Sequence, residues 1–530
     1  MVLNEQVLNK IRKSYKKNKK NDLIRNIVSQ NNINNVTLNH KLVQKDHSFF
    51  NSKINEEHLI PSNQKQTGRC WLFAFLNKAR ALMMKKYNLE HFEFSQIYLT
   101  FWDKLEKSHT FLQYIQETKK KSLDNIYVKK LLDSPTMDGG QWNMIHHLIE
   151  KYGLCPKSVM KETYHSNNTD NLNNILNEKL IYFARQIREG HGNIDNMMSD
   201  IYRLLVYFLG EPPIEFNWEY KKKITKGGKT KKKGKRTRRK NLTFKHVKKT
   251  NFNKGLAVTN ISPLDFYKYY VPIDVSKKIC IIHNPARPYY KKYDIKYLKN
   301  VYEKGGTNYI NLPLNVMKEC LKKSIKNKEA VWFGCDISKS KSKKYHILHQ
   351  NIHNIETLLN TPIELPKEKS LMYHQTSVNH AMLICGMNKT SNGTINKWLV
   401  ENSHGMSKES DKFEENKDGT LFMYDNWFDN HVFEIVIDHV LPSTSCGALA
   451  IVGPVMIVET ISHLAAVAVC PTRSTTCALS IVCVAISGYT LLPNEQFQVM
   501  FATVIILSLF FNLSWHLFFL KFLKNLEMKY

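Results

Sequence analysis

One cysteine in this chain has the surroundings of a nucleophile. Cys70 follows Gly68, and residues 71–87 carry apolar side chains at the three- and four-residue spacing that predicts an amphipathic helix. A helix N-terminus offers free backbone N–H groups and a dipole that favour a thiolate. Gln64 precedes Cys70 and offers a side-chain amide to an oxyanion formed beside the sulfur. The combination predicts covalent catalysis by Cys70, whereas a lone cysteine would be assigned to the core.

A thiolate nucleophile needs a base, and the base needs a partner that orients it. Two short apolar segments, residues 380–386 and 397–402, are predicted strands, and the connection between them contains Asn392-Gly393, a strong hairpin signal. Folding the chain back at this turn brings Asn402 beside His380. The amide oxygen then accepts a hydrogen bond from one imidazole nitrogen, and the other nitrogen faces the thiol. The pattern favours His380 as a base over a purely structural strand histidine.

The order of Gln64, Cys70, His380 and Asn402 resembles that of the papain-like cysteine peptidases. Further motifs resemble one branch of them, the bleomycin hydrolase family of cysteine aminopeptidases. The similarity covers roughly residues 45–441 and rests on Gln64 to Ala74, Met137-Asp-Gly-Gly-Gln-Trp142, Glu150-Lys-Tyr-Gly153, Leu209-Gly-Glu-Pro-Pro213, Trp218-Glu-Tyr220, Ser262-Pro-Leu-Asp-Phe-Tyr267, Glu329-Ala-Val-Trp-Phe-Gly-Cys-Asp336, Asn379-His-Ala-Met382, Val400-Glu-Asn-Ser403 and Asp425-Asn-Trp-Phe428.

The resemblance implies an α+β, papain-like fold of two lobes, one helical and one rich in β-strands, with the cleft between them. It implies Cys70 as nucleophile, His380 as base, Asn402 as its orienting partner and Gln64 as oxyanion-hole donor. Gly139 and Gly140 resemble the glycine pair that binds an extended substrate, a role that suits residues without a Cβ. The implied activity is aminopeptidase cleavage of short peptides through a thioester, in a homohexamer, with neither metal nor cofactor.

One position inside the site departs from the family pattern. The usual Asn-Ser-Trp-Gly is Asn402-Ser-His404-Gly405 in this chain. In papain-like enzymes that tryptophan covers the hydrogen bond between the catalytic histidine and asparagine. His404 is smaller and polar, so we expect a wetter bond between His380 and Asn402, with lower activity or a shifted pH range. The groups that do the chemistry are all present, and an active enzyme is expected.

The net charge of +31 is concentrated in one segment. Residues 221–254 contain 17 Lys or Arg and neither Asp nor Glu, and they interrupt the family match. Their low apolar content predicts a disordered loop. The loop is a nuclear-localisation signal, an arm that binds nucleic acid or another polyanion, or an insertion without a partner. An alternative function follows: a peptidase-fold protein, weakly active or inactive, that binds nucleic acid through this loop.

The chain is strongly apolar after Pro442. Residues 499–520 lack Asp, Glu, Lys and Arg over a length that could span a bilayer. This tail is either a genuine membrane anchor or the translation of non-coding or misassembled sequence. The start of the chain has no signal-peptide core, and the ten cysteines show no CxxC pair. We therefore expect a cytoplasmic protein with an N-terminal extension (1–44), a peptidase domain (45–441) and an apolar tail (442–530), and membrane association if the tail is genuine.

Overall fold

Asparagine side chains begin three of the first four helices. The structure, a computed structural model, describes residues 2–54, 61–221, 255–404 and 419–438. Asn4, Asn32 and Asn39 each accept a hydrogen bond from a backbone N–H of the first turn. These helices have no buried residue and lie on the surface. The N-terminal elements are α1 (Glu5–Lys17), α2 (Lys20–Gln30), α3 (Ile33–Val36), α4 (His40–Lys45) and β1 (Ser52–Lys53).

The helical lobe is built around α5 (Cys70–Tyr87), which confirms the predicted helix and begins one residue earlier than predicted. All of residues 70–80 are buried, including the polar Asn77, Lys78 and Arg80, so the first three turns are covered on every side, and exposed residues occur only in the last turns. The remaining elements of this lobe are α6 (Gln96–Thr118), α7 (Ile126–Asp133), α8 (Trp142–Tyr152), α9 (Tyr164–Asn167), α10 (Asp170–Arg188), α11 (Ile194–Leu209), β2 (Phe216–Lys221), β3 (Gly255–Ile261) and α12 (Pro263–Tyr270).

The basic segment leaves and re-enters the fold at one place. Strands β2 and β3 pair in antiparallel fashion, and Lys221 is the register partner of Gly255. Residues 222–254, which hold almost all of the predicted loop, lie outside the described residues. The segment therefore connects the paired ends of strands β2 and β3. This is expected of an insertion that leaves the pairing of the flanking residues unchanged.

The second lobe is an eleven-stranded mixed sheet that carries His380 in its interior. The strand order is β5-β6-β4-β13-β7-β10-β11-β12-β9-β8, and β1 pairs with β10. Its strands are β4 (Lys278–Ile282), β5 (Lys291–Ile295), β6 (Thr307–Asn311), β7 (Val331–Cys335), β8 (Lys341–Ser342), β9 (Ile347–Leu348), β10 (His380–Lys389), β11 (Ile395–Glu401), β12 (Thr420–Tyr424) and β13 (Val432–Asp438). The helices α13 (Leu314–Lys326), α14 (Ile355–Leu359), α15 (Lys367–Met372) and α16 (Asp425–His431) complete it.

The predicted hairpin forms, with longer strands than the sequence suggested. Strands β10 and β11 pair in antiparallel fashion, and Leu383 lies opposite Glu401. Only residues 390–394 remain as the turn, because residues 387–389 and 395–398 pair with each other and extend the ladder. Gly393 has φ +82°, a conformation that glycine adopts without strain. The register continues past Leu383 and brings His380 level with the residues that follow β11.

Helices and a mixed sheet together confirm the predicted α+β fold class, with the papain-like arrangement of a helical part and a β-rich part. No helix in the four described ranges is long and apolar enough to cross a membrane. The candidate membrane segment, residues 499–520, and the rest of the apolar tail lie outside those ranges.

Candidate active site

Cys70 is held at the first turn of α5 by the residue before it. Arg69 is almost completely buried, and its guanidinium group contacts the carboxylate of Glu162 at 3.0 Å and also donates to the carbonyl of Ser166. Burial raises the pKa of the Cys70 thiol, and the nearby backbone N–H groups of Trp71, of Cys70 itself and of Ala381 in β10 oppose that effect. Ala381 thus places the start of β10, one residue from His380, beside the start of α5.

The ionisation of Cys70 differs from the sequence expectation. Burial raises the pKa of the thiol, while the N–H groups of Ala381, Trp71 and Cys70 lower it. The donors at the helix start act in the predicted direction, but burial outweighs them, since the residue is only 8% exposed. The resting sulfur in this structure is therefore a thiol, and a base must remove its proton.

His380 and Asn402 form the predicted pair. Nε2 of His380 lies 2.9 Å from Oδ1 of Asn402, an amide oxygen that can only accept, so Nε2 carries the proton and Nδ1 has a free lone pair. Burial lowers the pKa of His380 to about 4, against the opposing effect of the Asn402 hydrogen bond. The ring is therefore neutral at pH 7 and able to accept a proton. Among the described residues, no hydrogen bond joins this ring to the Cys70 sulfur, and the neighbouring Ala381 N–H is the backbone donor that lowers the pKa of the thiol most.

His404 lies against the face of the His380 ring. The two rings are stacked with centroids 5.5 Å apart and an interplanar angle of 6°. Burial of His404 and the charges of Lys341 and Lys343 lower its pKa, and its own charge in turn lowers the pKa of His380. The position that carries a tryptophan in the family pattern thus still covers the imidazole, but with a smaller ring that can become charged.

We expect His404→Trp to raise kcat/KM by roughly two- to fivefold, because shielding a charge-assisted hydrogen bond from water is worth ~1 kcal/mol. The acid limb of the pH profile should also move to higher pH. Protonated His380 cannot act as a base, and removing the charge of His404 raises the pKa of His380 from its value of about 4. Stopped-time assays of an aminoacyl amide between pH 3 and pH 9 measure both effects.

His404→Asn is the matched control, since it removes the charge without supplying an apolar cover. It should move the acid limb in the same direction without the gain in rate. An unchanged profile in His404→Trp would show that the stacked ring has no influence on His380.

Gln64 is held by Ser403, the residue after Asn402. Its Nε2 donates to the carbonyl of Thr67 at 2.6 Å, and its Oε1 accepts from the hydroxyl of Ser403 at 2.5 Å. The backbone N–H of Gln64 also donates to the carbonyl of Ser403 at 2.8 Å. An amide nitrogen carries two hydrogens, so one remains after the bond to Thr67. The side chain is held by both lobes, and its orientation depends on both.

Gly139 and Gly140 lie against the first turn of α5 but in different surroundings. A Cβ on Gly140 would come within 2.6 Å of the Trp71 ring, whereas a Cβ on Gly139 would meet no atom within 4 Å. Lys107 of α6 donates to the carbonyls of Met137 at 2.8 Å and Gly139 at 2.7 Å. Gly140 thus allows the segment to pack on Trp71, and Gly139 faces open space beside the nucleophile.

Three polar residues of the site were not singled out from the sequence. Ser403 orients Gln64, and Asp336 accepts a hydrogen bond of 2.7 Å from Asn379, the residue before His380. Each belongs to a motif that carries the family resemblance, and this membership was the only signal available for them. Their partners are distant in sequence, so spacing could not assign them a role.

One side-chain cluster in the described part of the chain has metal-ligand geometry. The candidate ligand atoms of Glu106, His109 and Glu303 lie within 4.8 Å of one another. The ammonium group of Lys151 contacts Glu106 at 2.6 Å and Glu303 at 2.5 Å. The carboxylates are therefore neutralised by lysine, and none of these residues belongs to the site of Cys70.

Comparison with known proteins agrees with this geometry. Residues 2–259 and 234–450 match the Peptidase C1-like family. Bleomycin hydrolase of Mus musculus is 34% identical over 436 residues, which are 78% of this chain and 88% of that protein. Aminopeptidase C of Listeria monocytogenes is 36% identical over 385 residues, with 71% and 79% of the two chains covered.

A solved structure shows the same architecture. The crystal structure of PepW from Lactobacillus rhamnosis superposes with a TM-score of 0.71 at 30% sequence identity, covering 82% of this chain and 92% of PepW. The fold and the comparisons define a cysteine peptidase of the papain-like class. Within that class the chain belongs to the Peptidase C1-like family, and it is similar to bleomycin hydrolases and aminopeptidases C.

Proposed function

We propose that the protein is a cysteine aminopeptidase that hydrolyses short peptides through a thioester, with Cys70 as nucleophile, His380 as base and Asn402 as orienting residue. One observation carries these assignments. His380 is held by Asn402 at 2.9 Å with its Nδ1 free, and the next residue, Ala381, has a backbone N–H that acts on the Cys70 thiol and lowers its pKa against the effect of burial. A thiol, a neutral base and an orienting amide are thus adjacent in the order that nucleophilic catalysis requires.

The reaction follows from these groups. Nδ1 of His380 takes the thiol proton while the sulfur attacks the substrate carbonyl, and the resulting imidazolium is stabilised by Asn402. The N–H of Cys70 and an amide N–H of Gln64 bind the oxyanion. His380 then protonates the leaving amine, the C–N bond breaks and a thioester remains. Water gives a proton to His380 and attacks the thioester, and the departing sulfur regains its proton.

The substrate segment is assigned to the glycine pair. The exposed Gly139 faces open space, as required for an extended peptide to approach the backbone beside Cys70. Assembly as a homohexamer and a cytoplasmic location extend the proposal by similarity to the family. So does the division into an N-terminal extension (1–44), a peptidase domain (45–441) and an apolar tail (442–530) that could reach a membrane through residues 499–520.

The basic segment favours a second candidate function. Residues 221–254 carry 17 Lys or Arg without an acidic residue, and both ends of the segment meet at the paired residues Lys221 and Gly255. A loop of this charge, fixed at one hairpin, would bind a polyanion such as nucleic acid through counterion release. On this alternative the peptidase fold serves mainly as a scaffold, with weak or absent activity.

Turnover of aminoacyl amides tests the proposed function. We expect hydrolysis of substrates with a free amino group, and slower or no hydrolysis of the same substrates after acetylation. Absence of turnover for both, in a folded protein whose binding to DNA or RNA falls steeply with salt, would favour the alternative. Equal cleavage of free and acetylated peptides would contradict aminopeptidase specificity while leaving the cysteine peptidase assignment intact.

A further inference from the structure

The carboxylate of Asp138 contacts four residues from three separate segments around the site. Oδ2 accepts the backbone N–H of Gly68 at 3.1 Å and the hydroxyl of Thr169 at 2.5 Å. Oδ1 contacts the ammonium group of Lys104 at 2.8 Å and accepts the side-chain amide of Asn173 at 3.1 Å. Both carboxylate oxygens are thus fully used. Burial acts to raise the pKa of this carboxyl, but Lys104, Thr169 and Gly68 together hold it well below its usual value.

The backbone of Asp138 is bonded to the catalytic helix as well. Nε1 of Trp71, the residue after Cys70, donates to the carbonyl of Asp138 at 2.7 Å. A Cβ on Gly68 would lie 2.8 Å from the Cβ of Asp138, so the loop before Cys70 and the loop before Gly139 touch without space for a larger residue. Asp138 therefore sits between the nucleophile and the exposed glycine that follows it.

The residues just before α10 also contact the loop that precedes Cys70. The N–H of Gln66 donates to the carbonyl of Asn167 at 3.2 Å, close to the start of α10 where Thr169 and Asn173 lie. Lys104 belongs to α6 and its side chain is 1% exposed, so its charge has no access to water and depends on Asp138. The carboxylate of Asp138 thus holds the loop at Gly68 and its own loop against the helices α6 and α10.

From these contacts we infer that Asp138 is a positioning residue of the reaction: it fixes the distance between the sulfur of Cys70 and the backbone at Gly139 that holds the substrate. This inference rests on the proposed function and extends it. Its carboxylate touches neither sulfur nor substrate, and its effect is exerted through Gly68 on one side and Gly139 on the other. An error of about 1 Å in such an alignment costs on the order of 10²-fold in rate.

Two reagents that both react with the sulfur of Cys70 distinguish a misaligned substrate site from a loss of thiol reactivity. Iodoacetamide needs only a reactive Cys70, whereas an aminoacyl chloromethyl ketone must also be held by the substrate backbone site. In Asp138→Asn we expect inactivation by the chloromethyl ketone, and kcat/KM for an aminoacyl amide, to fall about 10²-fold. Alkylation by iodoacetamide should stay equal or become faster, because the charge of Asp138 acts to raise the pKa of Cys70.

Asp133→Asn is the matched control, an exposed aspartate five positions earlier, and both rates should stay unchanged. If Asp138→Asn does not fold, Thr169→Val removes one donor, keeps the ion pair with Lys104 and is judged by the same two rates. A parallel fall of both inactivation rates, or no fall of the chloromethyl ketone rate, would overturn the positioning role. Lack of amide turnover in the unmodified protein would instead contradict the proposed function, and the two reagents would still decide the role of Asp138.

Discussion

Cys70→Ala should abolish peptide hydrolysis, with kcat at least about 10⁴-fold lower, while the protein still folds. The loss is this large because the sulfur forms the only covalent bond to the acyl group, and removing a nucleophile leaves just the catalysis by binding and oxyanion stabilisation. The side chain is 8% exposed and its replacement is small, so the fold should tolerate the change. Turnover of an aminoacyl amide and the circular dichroism spectrum measure the two expectations.

Thiol labelling provides an independent measure of the same assignment. Cys155, Cys280, Cys335 and Cys385 are also free and buried, and burial raises the pKa of each well above that of an ordinary thiol. Burial also raises the pKa of Cys70, but there the N–H groups of Ala381, Trp71 and Cys70 oppose it, so iodoacetamide should modify Cys70 first in the native protein. Cys155→Ala, in the helical lobe, should keep its activity. Activity in Cys70→Ala, or faster labelling of another of these cysteines, would remove the basis of the assignment.

Local sequence patterns were sufficient to predict the structure where it depends on residues that are close together in the chain. The start of α5 follows from Gly68 and the apolar spacing after it, and the pairing of β10 with β11 follows from Asn392-Gly393. A hairpin fixes the register of its two strands, so the proximity of His380 and Asn402 could be predicted without a tertiary structure. These are contacts within about 20 residues of chain, or at a single helix end.

Contacts between distant segments could not be predicted in the same way. The partners of Asp138 come from the loop at Gly68, from α6 and from α10, and no periodicity connects them. The protonation of Cys70 was predicted from the helix end alone. Its raised pKa depends on the desolvation that accompanies packing against β10, and that packing is a property of the assembled lobes.

The burial of charge on α5 leads to the largest expected effect on stability. Glu329, just before β7, contacts Lys78 of α5 at 2.7 Å and also contacts Lys278 of β4. The lysine side chains are 3% and 6% exposed. Burial lowers the pKa of Lys78 to about 8, and Glu329 opposes that shift. Glu329 thus contacts two buried lysines where α5 meets the sheet, and Asp438 of β13 contacts the second of them, Lys278, at 2.5 Å as well.

Glu329→Gln should destabilise the protein by ~3–5 kcal/mol at pH 7, because removing one partner of a buried ion pair leaves the other charge unpaired in a low dielectric. The pKa of Glu329 lies below its usual value, since Lys78 and Lys278 outweigh the effect of burial. Glu329 therefore contributes to stability at pH values above the ordinary carboxyl pKa. This contribution is lost as the pH falls through the pKa of Glu329 in the folded protein. The gap between mutant and parent, measured by urea denaturation, should narrow towards acid pH.

Glu319→Gln is the matched control, since Glu319 pairs with Lys322 on the surface and is 54% exposed, and exposed pairs of this kind contribute ~0–1 kcal/mol. Adding Lys78→Met to Glu329→Gln should recover part of the loss, because it removes the ammonium group that has lost its carboxylate, whereas Lys278 keeps its contact with Asp438. A loss below ~1 kcal/mol for Glu329→Gln, or no recovery in the double mutant, would show that water reaches these lysines. The link between α5 and the sheet would then depend on apolar packing and on hydrogen bonds such as that of Asn77 to Glu401 at 2.8 Å, with no contribution from Glu329.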